Sequence, residues 1–366
     1  MFEEKYMLLA IELAKKGKGA VNPNPLVGAV IVKNGKIIGQ GYHARYGGLH
    51  AERDAFSNLT EDAEGAEMYV TLEPCCHFGK QPPCVNAIVE HKIGHVYVGS
   101  DDPNEKVAGN GIKYLREHGI DVDTHMLKEK CDELNPVFFH YITTKRPYVV
   151  MKYAMTMDGK IATYNKKSKW ITCEESRKRV AESRNEYMGI MVGIGTVLAD
   201  NPMLTCKVEG GRNPIRIVCD SNLMIPIDCN IVNTARDVKT IVAVCDLDNK
   251  DEGIKAKCKL LQDKGVEILE AGGTDKRIDL NLLMKLLGEK GIDGILLEGG
   301  GTLNYSAIRE NIVNEIQAYI APKIFGGGEA PSPVEGQGVE EPKLAKIFHL
   351  KRVEQIEEDI LLTYRR

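Results

Sequence analysis

The spacing of apolar residues over the first part of the chain alternates between the helical period and the strand period. Helices are predicted at residues 6–15, 50–55, 83–90, 111–117 and 127–144. Strands are predicted at residues 27–32, 37–38, 68–72, 95–98 and 122–124, with a hairpin turn at Asn34-Gly35. Pro147 stops the last helix, so we place a domain boundary after residue 146.

The remaining chain repeats this alternation with strands that look buried. They are predicted at residues 148–154, 190–192, 215–219, 240–245, 266–269, 295–297, 315–320 and 360–364. Helical patterns between them include residues 255–262 and 280–287, and the Gly- and Pro-rich residues 326–338 predict a loop. Strands that alternate with helices favour a mainly parallel sheet. The sequence therefore predicts two α/β domains, residues 1–146 and 147–366.

Composition narrows the classes of function. A chain of 366 residues with 43% hydrophobic and 27% charged residues is typical of a globular protein with two domains. A net charge of -4 without a large basic block argues against nucleic-acid partners. Neither a signal peptide nor a bilayer-spanning apolar run is recognised, so we expect a cytoplasmic protein without membrane partners. The scattered cysteines favour metal ligands and buried thiols over a disulfide framework.

Three short segments of the first domain carry the residue types of a zinc-dependent hydrolase. They are His50-Ala51-Glu52, Pro74-Cys75 and Pro82-Pro83-Cys84. One imidazole and two thiolates leave the fourth tetrahedral position to water, as in a catalytic zinc site, and zinc makes that water acidic enough to supply hydroxide. Glu52 can relay protons without binding the metal. This signature is typical of zinc-dependent base deaminases.

The spacing of the cysteines leaves alternatives open. The usual second half of the signature is C-x-x-C, whereas residues 76–83 separate Cys75 from Cys84. Cys76 is a poor partner for its neighbour Cys75 at one tetrahedral site, and His77 competes with His50 as the imidazole ligand. A structural zinc site, or buried thiols beside an unrelated His-Ala-Glu, would contain the same residues.

This domain also contains longer motifs: NPNPLVG at residues 22–28, GYH at 41–43, GLHAE at 48–52 and YVTLEPCCHFGKQPPC at 69–84. Together they resemble the deaminase domain of the bifunctional riboflavin-biosynthesis deaminase/reductase family. The long insert before the second cysteine is a mark of that family. The resemblance implies the zinc ligands His50, Cys75 and Cys84 and the proton relay Glu52. It also implies substrate contacts at Asn24, His43 and Lys80.

These three substrate positions make chemical sense, although each has a simpler interpretation. Lys80 is a cation for a phosphate, and Asn24 and His43 offer hydrogen bonds to a heterocycle. Without the resemblance, Asn24 would be a turn residue, His43 a partly buried polar residue and Lys80 a solvated charge.

The second domain resembles the reductase domain of the same family, which has a dihydrofolate-reductase-like fold. The matching motifs are MKYAMTMDGKIA at residues 151–162, SKWIT at 168–172, GIGTVLADNP at 193–202 and LEGGGTL at 297–303. The resemblance covers nearly the whole chain and implies NADPH as the second cofactor. The implied NADPH contacts are Ala154, Trp170, Thr196, Asp200, Ser221, Gly300, Gly301, Thr302, Leu303, Asn304, Tyr305 and Ser306.

Substrate contacts in the second domain are implied at Ser168, Arg184, Leu204, Lys207 and Glu298. Position 207 is often arginine in the family, and a lysine there lacks the bidentate fork for phosphate. Lys152 lies on the same strand face as Ala154, where it can hold a substrate group or assist proton delivery. Without the resemblance, Arg184 and Asp200 would be solvated charges and Trp170 a core or interface residue.

The glycine run at residues 299–301 joins a predicted strand to a predicted helix. Glycines let the backbone approach a phosphate closely, and the helix N-terminus adds free N–H groups. The run is not G-x-G-x-x-G, which disfavours a Rossmann dinucleotide site. Alone it would be a plain loop, but a second turn at residues 193–196 favours a cofactor cleft between two strand ends.

The resemblance implies two consecutive reactions of riboflavin biosynthesis. The first is zinc-dependent hydrolytic deamination of 2,5-diamino-6-(5-phosphoribosylamino)pyrimidin-4(3H)-one. The second is NADPH reduction of the ribosyl group of 5-amino-6-(5-phosphoribosylamino)uracil to ribityl. We also expect a homo-oligomer, a dimer or a tetramer, whose ligands are small molecules.

Two other functions compete with this interpretation. One is a nucleoside or tRNA base deaminase with an unrelated C-terminal domain, which the insert before Cys84 and the motifs of the second domain disfavour. The other is a nucleotide-binding regulator with a structural zinc. Structural zinc sites normally have four protein ligands, whereas this chain offers three together with Glu52.

Overall fold

The computed structural model describes residues 2–79, 81–105, 107–247, 251–273 and 277–366. The chain divides into two compact units, Met1–Lys145 and Arg146–Arg366, a division one residue before the predicted boundary. Within the described ranges, none of the helices has the length and apolar character needed to cross a membrane. These ranges include all ten cysteines, and no disulfide joins them.

The described part of the first unit forms one five-stranded sheet with helices on both faces. Its elements are α1 (Glu4–Lys15), β1 (Gly28–Lys33), β2 (Lys36–Tyr42), α2 (Ala51–Ser57), β3 (Glu67–Leu72), α3 (Cys84–Glu90), β4 (His95–Ser100), α4 (Asn110–Glu117), β5 (Asp121–Asp123), α5 (Lys128–Asp132) and α6 (Pro136–Thr144). The strand order is β2-β1-β3-β4-β5. β1 is antiparallel to β2 and β3, whereas β3, β4 and β5 are parallel.

Alternate residues of the central strands enter two separate cores, because successive strand side chains point to opposite faces. One core contains Ala29, Ile31, Met68, Val70, Val96 and Val98 together with residues of α2, α3 and α4. The other contains Val30, Val32, Tyr69 and Tyr97 together with residues of α1. Both faces of the sheet are therefore covered, as its uniformly apolar strands require.

The predicted helix over residues 127–144 is wrong, because two shorter helices, α5 and α6, occupy this stretch. Asn135 lies between them in a non-helical conformation, and Pro136 begins α6. The residue before a proline is driven away from the helical region, which explains the break. Asn135 also forms two hydrogen bonds with the backbone of Leu26, which hold it outside a helix.

The described residues of the second unit form a nine-stranded sheet in the order β10-β9-β8-β7-β11-β6-β12-β14-β13. Its elements are β6 (Tyr148–Thr156), α7 (Glu174–Glu186), β7 (Gly189–Gly193), α8 (Ile194–Asp200), β8 (Ile215–Cys219), α9 (Asn230–Asn233), β9 (Thr240–Val244), α10 (Glu252–Asp263), β10 (Val266–Glu270), α11 (Leu280–Glu289), β11 (Gly294–Leu297), α12 (Gly301–Arg309), β12 (Glu315–Ala321), a 3-10 turn (Pro342–Leu344), β13 (His349–Ile356) and β14 (Asp359–Arg365). Pairing is parallel from β10 to β12, and β14 is antiparallel to both of its neighbours. The predicted mainly parallel sheet is confirmed.

Arg216 in β8 is a fully buried cation whose hydrogen-bond donors are all used. Its Nε donates to Thr240 Oγ1, and its two terminal nitrogens donate to Thr234 Oγ1 and to the carbonyls of Met203, Ile231 and Val238. Burial lowers the pKa of the guanidinium to about 10, so it stays charged at neutral pH. Arg216 thereby ties β8 to α9 and to the loop that follows α8.

We expect Arg216→Met to destabilise the second unit by about 3 kcal/mol or more, because several buried acceptors would lose their donors at once. Urea unfolding followed by the fluorescence of Trp170, the chain's one tryptophan, would measure this. The matched control is Arg236→Ala, since Arg236 is exposed and donates one hydrogen bond to the carbonyl of Asp263. The control should change stability by no more than about 0.5 kcal/mol. Equal effects of the two substitutions would contradict the assignment.

Candidate functional site

Three chain segments bring the predicted zinc ligands of the first unit together. His50 precedes α2 as its N-cap, Cys84 is the first residue of α3, and Cys75 follows β3. His50 Nδ1 lies 3.5 Å from Cys75 Sγ and 3.4 Å from Cys84 Sγ. Zinc with ordinary Zn–N and Zn–S bonds would separate such atoms by about 3.6 Å in a tetrahedron. The three residues therefore fit a zinc ion, and they form the one cluster of this kind within the described ranges.

The loop between the two cysteines is held by backbone hydrogen bonds. Cys84 N donates to Cys75 Sγ at 3.4 Å, and Val85 N donates to the carbonyl of Cys75 at 3.3 Å. Arg53 donates from Nε to the carbonyl of Pro82 at 3.1 Å and from a terminal nitrogen to the carbonyl of Pro83 at 2.9 Å. The long insert before Cys84 is thus anchored at its end, beside the ligand.

Electrostatics around the cluster favour a thiolate next to a carboxyl group that can hold a proton. A hydrogen bond with Cys84, together with one to His50, lowers the pKa of Cys75 to about 4. Glu52 is 3% exposed, and this burial raises the pKa of its carboxyl group. The charge of Cys75 also raises the pKa of Glu52, which places its carboxyl group near the cluster. A carboxyl group with a raised pKa beside a metal site is suited to proton relay.

Asn24 and His43 lie together beside His50. The rings of His43 and His50 meet edge to face, with centroids 5.4 Å apart. His43 Nδ1 lies 2.8 Å from the carbonyl of Leu49, which can only accept, so Nδ1 carries the proton and Nε2 accepts from Asn24 Nδ2 at 3.1 Å. Burial lowers the pKa of His43, so it is neutral at pH 7. Asn24 Oδ1 keeps no partner among the described residues and is available to a ligand. Lys80 lies outside those residues.

In the second unit, polar side chains gather beside the carboxyl end of the parallel strand β11. Leu297 pairs with Met151, so Glu298 is level with Lys152 on the neighbouring strand. Lys152 Nζ lies 3.3 Å from Glu298 Oε2, and Arg184 of α7 donates to both Glu298 oxygens at 2.9 and 3.0 Å. Burial alone would raise the pKa of Glu298, but Lys152 and Arg184 lower it to about 2. Open α/β sheets bind their ligands at this edge.

Two glycine-containing turns meet at the same edge. α12 has Gly300 as its N-cap and α8 has Gly193, and neither helix start is capped by a side chain. The two turns are close, because a Cβ on Gly300 would lie 3.9 Å from Thr196 Oγ1. Uncapped N–H groups at the start of α12 are available to an anionic group. The turns therefore fit a phosphate group of a nucleotide cofactor.

Comparisons with known proteins agree with both sites. Residues 1–100 match the family described as cytidine and deoxycytidylate deaminase zinc-binding region, and residues 147–362 match the one described as RibD C-terminal domain. The riboflavin biosynthesis protein RibD of Actinobacillus pleuropneumoniae is 51% identical over 364 residues, which covers 100% of this chain and 95% of that protein. The chain belongs to the RibD family.

Other relatives match over similar lengths. RibD of Aquifex aeolicus is 42% identical, with 100% of this chain and 98% of that protein covered. A crystal structure from Thermotoga maritima, of a diaminohydroxyphosphoribosylaminopyrimidine deaminase/5-amino-6-(5-phosphoribosylamino)uracil reductase, superposes with a TM-score of 0.86. It is 37% identical and covers 99% of this chain and 98% of that one.

Membership in the RibD family confirms the predicted class of protein. The chain is a bifunctional enzyme of riboflavin biosynthesis, with a zinc-binding deaminase domain of cytidine-deaminase type and an NADPH-dependent reductase domain with a dihydrofolate-reductase-like fold. Because both domains match this family, the two competing hypotheses, a base deaminase with an unrelated C-terminal domain and a nucleotide-binding regulator, are wrong.

Some of the other predicted reductase residues contact neighbouring side chains, whereas others, within the described ranges, make no hydrogen bond or ion pair with a predicted site residue. The guanidinium of Arg177 lies 4.8 Å above the Trp170 ring, and Lys169 Nζ lies 3.5 Å from Asp200 Oδ1. Ala154 lies in β6, and Ser221 follows β8. Arg184 also reaches the carbonyl of Thr205, beside Leu204, at 3.5 Å. Ser168 and Lys207 make no hydrogen bond or ion pair to another predicted site residue within the described part of the chain.

Three residues near the zinc cluster were not selected from the sequence. Arg53 and Glu73 act on the backbone of distant segments, which no local motif shows. Asp102 is buried, and this burial raises its pKa to about 6, with contributions from the nearby charges of Glu73 and Cys75. Its position two residues after β4, a parallel strand, is the signal that could have selected it.

The cluster predicts which substitutions remove the metal. Cys75→Ser and Cys84→Ser should each lose zinc, whereas Cys76→Ser and His77→Ala should keep about one zinc per chain. Cys76 packs partly against the apolar core, and burial raises the pKa of its thiol. Metal analysis of the purified full-length variants decides this. Loss of zinc in Cys76→Ser together with normal zinc in Cys84→Ser would reverse the assignment.

Proposed function

We propose that residues 1–146 deaminate 2,5-diamino-6-(5-phosphoribosylamino)pyrimidin-4(3H)-one and that residues 147–366 reduce the ribosyl group of 5-amino-6-(5-phosphoribosylamino)uracil. Zinc, when bound by His50, Cys75 and Cys84, supplies a water molecule of lowered pKa. NADPH supplies the hydride of the second reaction. The remaining work of binding, orientation and proton transfer falls to side chains of this chain.

The observation that carries the deaminase proposal is the buried Glu52 beside a three-ligand cluster. Three protein ligands leave a position for water, and Glu52 has no place in the ligand set because the cluster consists of His50, Cys75 and Cys84. Its raised pKa lets the carboxyl group accept a proton from water and pass it to the departing amine. Asn24 and His43 are hydrogen-bonded to each other, and the His43 ring contacts the ring of His50, so both are suited to orient the pyrimidine beside the cluster.

The reductase proposal rests on the cluster of Lys152, Arg184 and Glu298. Their side chains are only 13%, 20% and 12% exposed. Two cations face one carboxylate, which leaves an excess positive charge in a sheltered place. Such a charge is costly unless an anion neutralises it, and a substrate phosphate would do so. Lys152 uses one of its three N–H groups on Glu298, so the others are available to the phosphate or to a sugar oxygen.

We expect Glu52→Gln to lower ammonia release at least about 100-fold while zinc content stays near one per chain, because proton relay is lost and the ligands remain. Ammonia release from the diaminopyrimidinone substrate and metal analysis measure the two quantities. NADPH oxidation with the deaminated substrate is the internal control and should not change. Substantial deaminase activity in zinc-loaded Glu52→Gln would contradict the assignment of Glu52 as the proton relay.

Substitutions at the proposed reductase site should impair NADPH oxidation without changing ammonia release. Lys152→Met should slow NADPH oxidation with the deaminated substrate at least about 100-fold, because the substrate loses its sheltered cation. Ammonia release should stay within twofold of the unmodified enzyme. Asp200→Ala, at the end of α8, should impair NADPH oxidation alone in the same way. If either substitution abolishes deamination in a protein that is folded normally, the two-site assignment is wrong.

We also propose that the enzyme is a cytoplasmic homo-oligomer, a dimer or a tetramer. In support, β13 lies at one edge of its sheet, with Leu350 53% and Val353 59% exposed. Edge strands with apolar side chains are prone to pair with another copy. Light scattering of the full-length enzyme tests the oligomer, and fractionation of the source cells tests the location.

A further inference from the structure

Glu73 is a buried carboxylate that lies two residues before the zinc ligand Cys75. It is 3% exposed, and its two oxygens accept three backbone N–H groups from the start of α4. Gly109 N donates to Oε2 at 3.0 Å, and Gly111 N and Ile112 N donate to Oε1 at 3.0 and 3.2 Å. These three residues come from a segment more than thirty positions further along the chain.

The same two segments are in direct backbone contact. A Cβ added to Gly111 would lie 2.1 Å from the carbonyl oxygen of Pro74, a distance that no side chain could occupy. The start of α4 therefore packs against the peptide that leads into Cys75. Glycine at position 111 permits this approach, and the Glu73 carboxylate holds it in place.

Cys75 lies outside the regular elements of the described chain. Residues 73–76 belong to neither a helix nor a strand, so no regular hydrogen-bond ladder positions them. Glu73 N donates to the carbonyl of Ser100 at 2.9 Å, which extends the β3–β4 pairing by one residue. Beyond that bond, the contacts with α4 fix the chain on one side of Cys75, and the contacts with Cys84 and Val85 fix it on the other.

We propose that Glu73 is a positioning residue of the zinc site, which sets the place of the Cys75 thiolate by binding the start of α4. This proposal rests on the zinc-dependent deaminase function proposed above. Glu73 does not touch the metal; it acts through the two peptide units between its own backbone and Cys75. A thiolate displaced by a fraction of an ångström no longer completes the tetrahedron with His50 and Cys84, and zinc binding weakens.

A carboxylate is required because both of its oxygens accept hydrogen bonds. Glutamine has nearly the same shape but replaces one oxygen with an NH2 group. In Glu73→Gln, either Gly109 N–H or the pair from Gly111 and Ile112 would face another donor. The substitution therefore breaks the anchor while it leaves the volume of the side chain almost unchanged.

The test compares Glu73→Gln with Arg116→Ala in the full-length enzyme. Arg116 lies near the other end of α4, where it donates to the carbonyl of Val122 at 2.8 Å. Both substitutions loosen the same helix, but only the first touches the segment of Cys75. Zinc affinity is measured on the metal-free proteins by competition with a chromophoric chelator. We expect the zinc dissociation constant to rise about tenfold or more in Glu73→Gln and to stay within twofold in Arg116→Ala.

Two outcomes of this comparison overturn the proposal. One is an unchanged zinc dissociation constant in Glu73→Gln. The other is an equal rise in Arg116→Ala, which would show that Glu73 only stabilises α4. If the unmodified enzyme itself binds no zinc, the proposed deaminase function fails instead, so the two failures are distinguishable.

Two further measurements distinguish global misfolding of Glu73→Gln from loss of its hydrogen bonds to α4. One is the activity of the second unit, and the other is the zinc affinity of a second variant. NADPH oxidation with the deaminated substrate should be unchanged in Glu73→Gln, because that reaction uses residues of the other unit. Gly111→Ala attacks the same contact from the side of α4 and keeps Glu73 intact. It should also raise the zinc dissociation constant about tenfold, and unchanged zinc affinity in a folded Gly111→Ala protein would contradict the proposal.

Discussion

The first unit depends on bringing three ligand atoms from separate segments within reach of one metal ion. His50, Cys75 and Cys84 each stand where a regular element begins or has just ended, so that their side chains point beyond the sheet into a shared space. Two of them, His50 and Cys84, lie at helix N-termini. The core on one face of the sheet fixes α2 and α3, and these helices in turn fix two of the ligands.

The third ligand, Cys75, lies in a loop and not in a helix or strand. Its surroundings show how a loop can be as well defined as a helix. Around Cys75, backbone groups are satisfied by side chains that come from far away in the sequence. Glu73 binds the start of α4, and Arg53 of α2 binds the peptide groups just before Cys84. The placement of Cys75 therefore comes from side-chain-to-backbone hydrogen bonds, whereas His50 and Cys84 are placed by helices.

Elements with strong apolar periodicity could be predicted from the sequence, and those without it could not. The predicted strand at residues 215–219 coincides with β8, because Ile215–Cys219 is uniformly apolar apart from Arg216. β13 exposes most of its side chains at the sheet edge, and α7 is so rich in charges that no apolar stripe appears along it. Both elements were missed for this reason. The helix over residues 127–144 was predicted as one because the effect of Pro136 on Asn135 was overlooked.

The residues of the candidate zinc site also divide into those that could be predicted from the sequence and those that could not. His50, Cys75, Cys84 and Glu52 could be selected because zinc chemistry demands those residue types, whatever the fold around them. Arg53 and Glu73 could not, since their roles depend on which distant backbone groups the fold brings beside them. Long-range partners of this kind are absent from any local pattern of residues.

The two buried cations of the second unit, Arg216 and Lys152, differ in how completely their N–H groups are satisfied by protein acceptors. Every N–H group of the Arg216 guanidinium has a neutral protein acceptor, so nothing further is needed to compensate its burial. Lys152 is sheltered in the middle of β6, beside the carboxyl end of β11, and has Glu298 as its one partner among the described residues, while Arg184 already occupies both oxygens of that carboxylate. Folding alone gives no reason to keep a poorly satisfied cation there. An anionic ligand that entered the site would supply the missing partner, so the incomplete hydrogen bonding of Lys152, rather than its charge, is what supports the substrate contact that we propose for it.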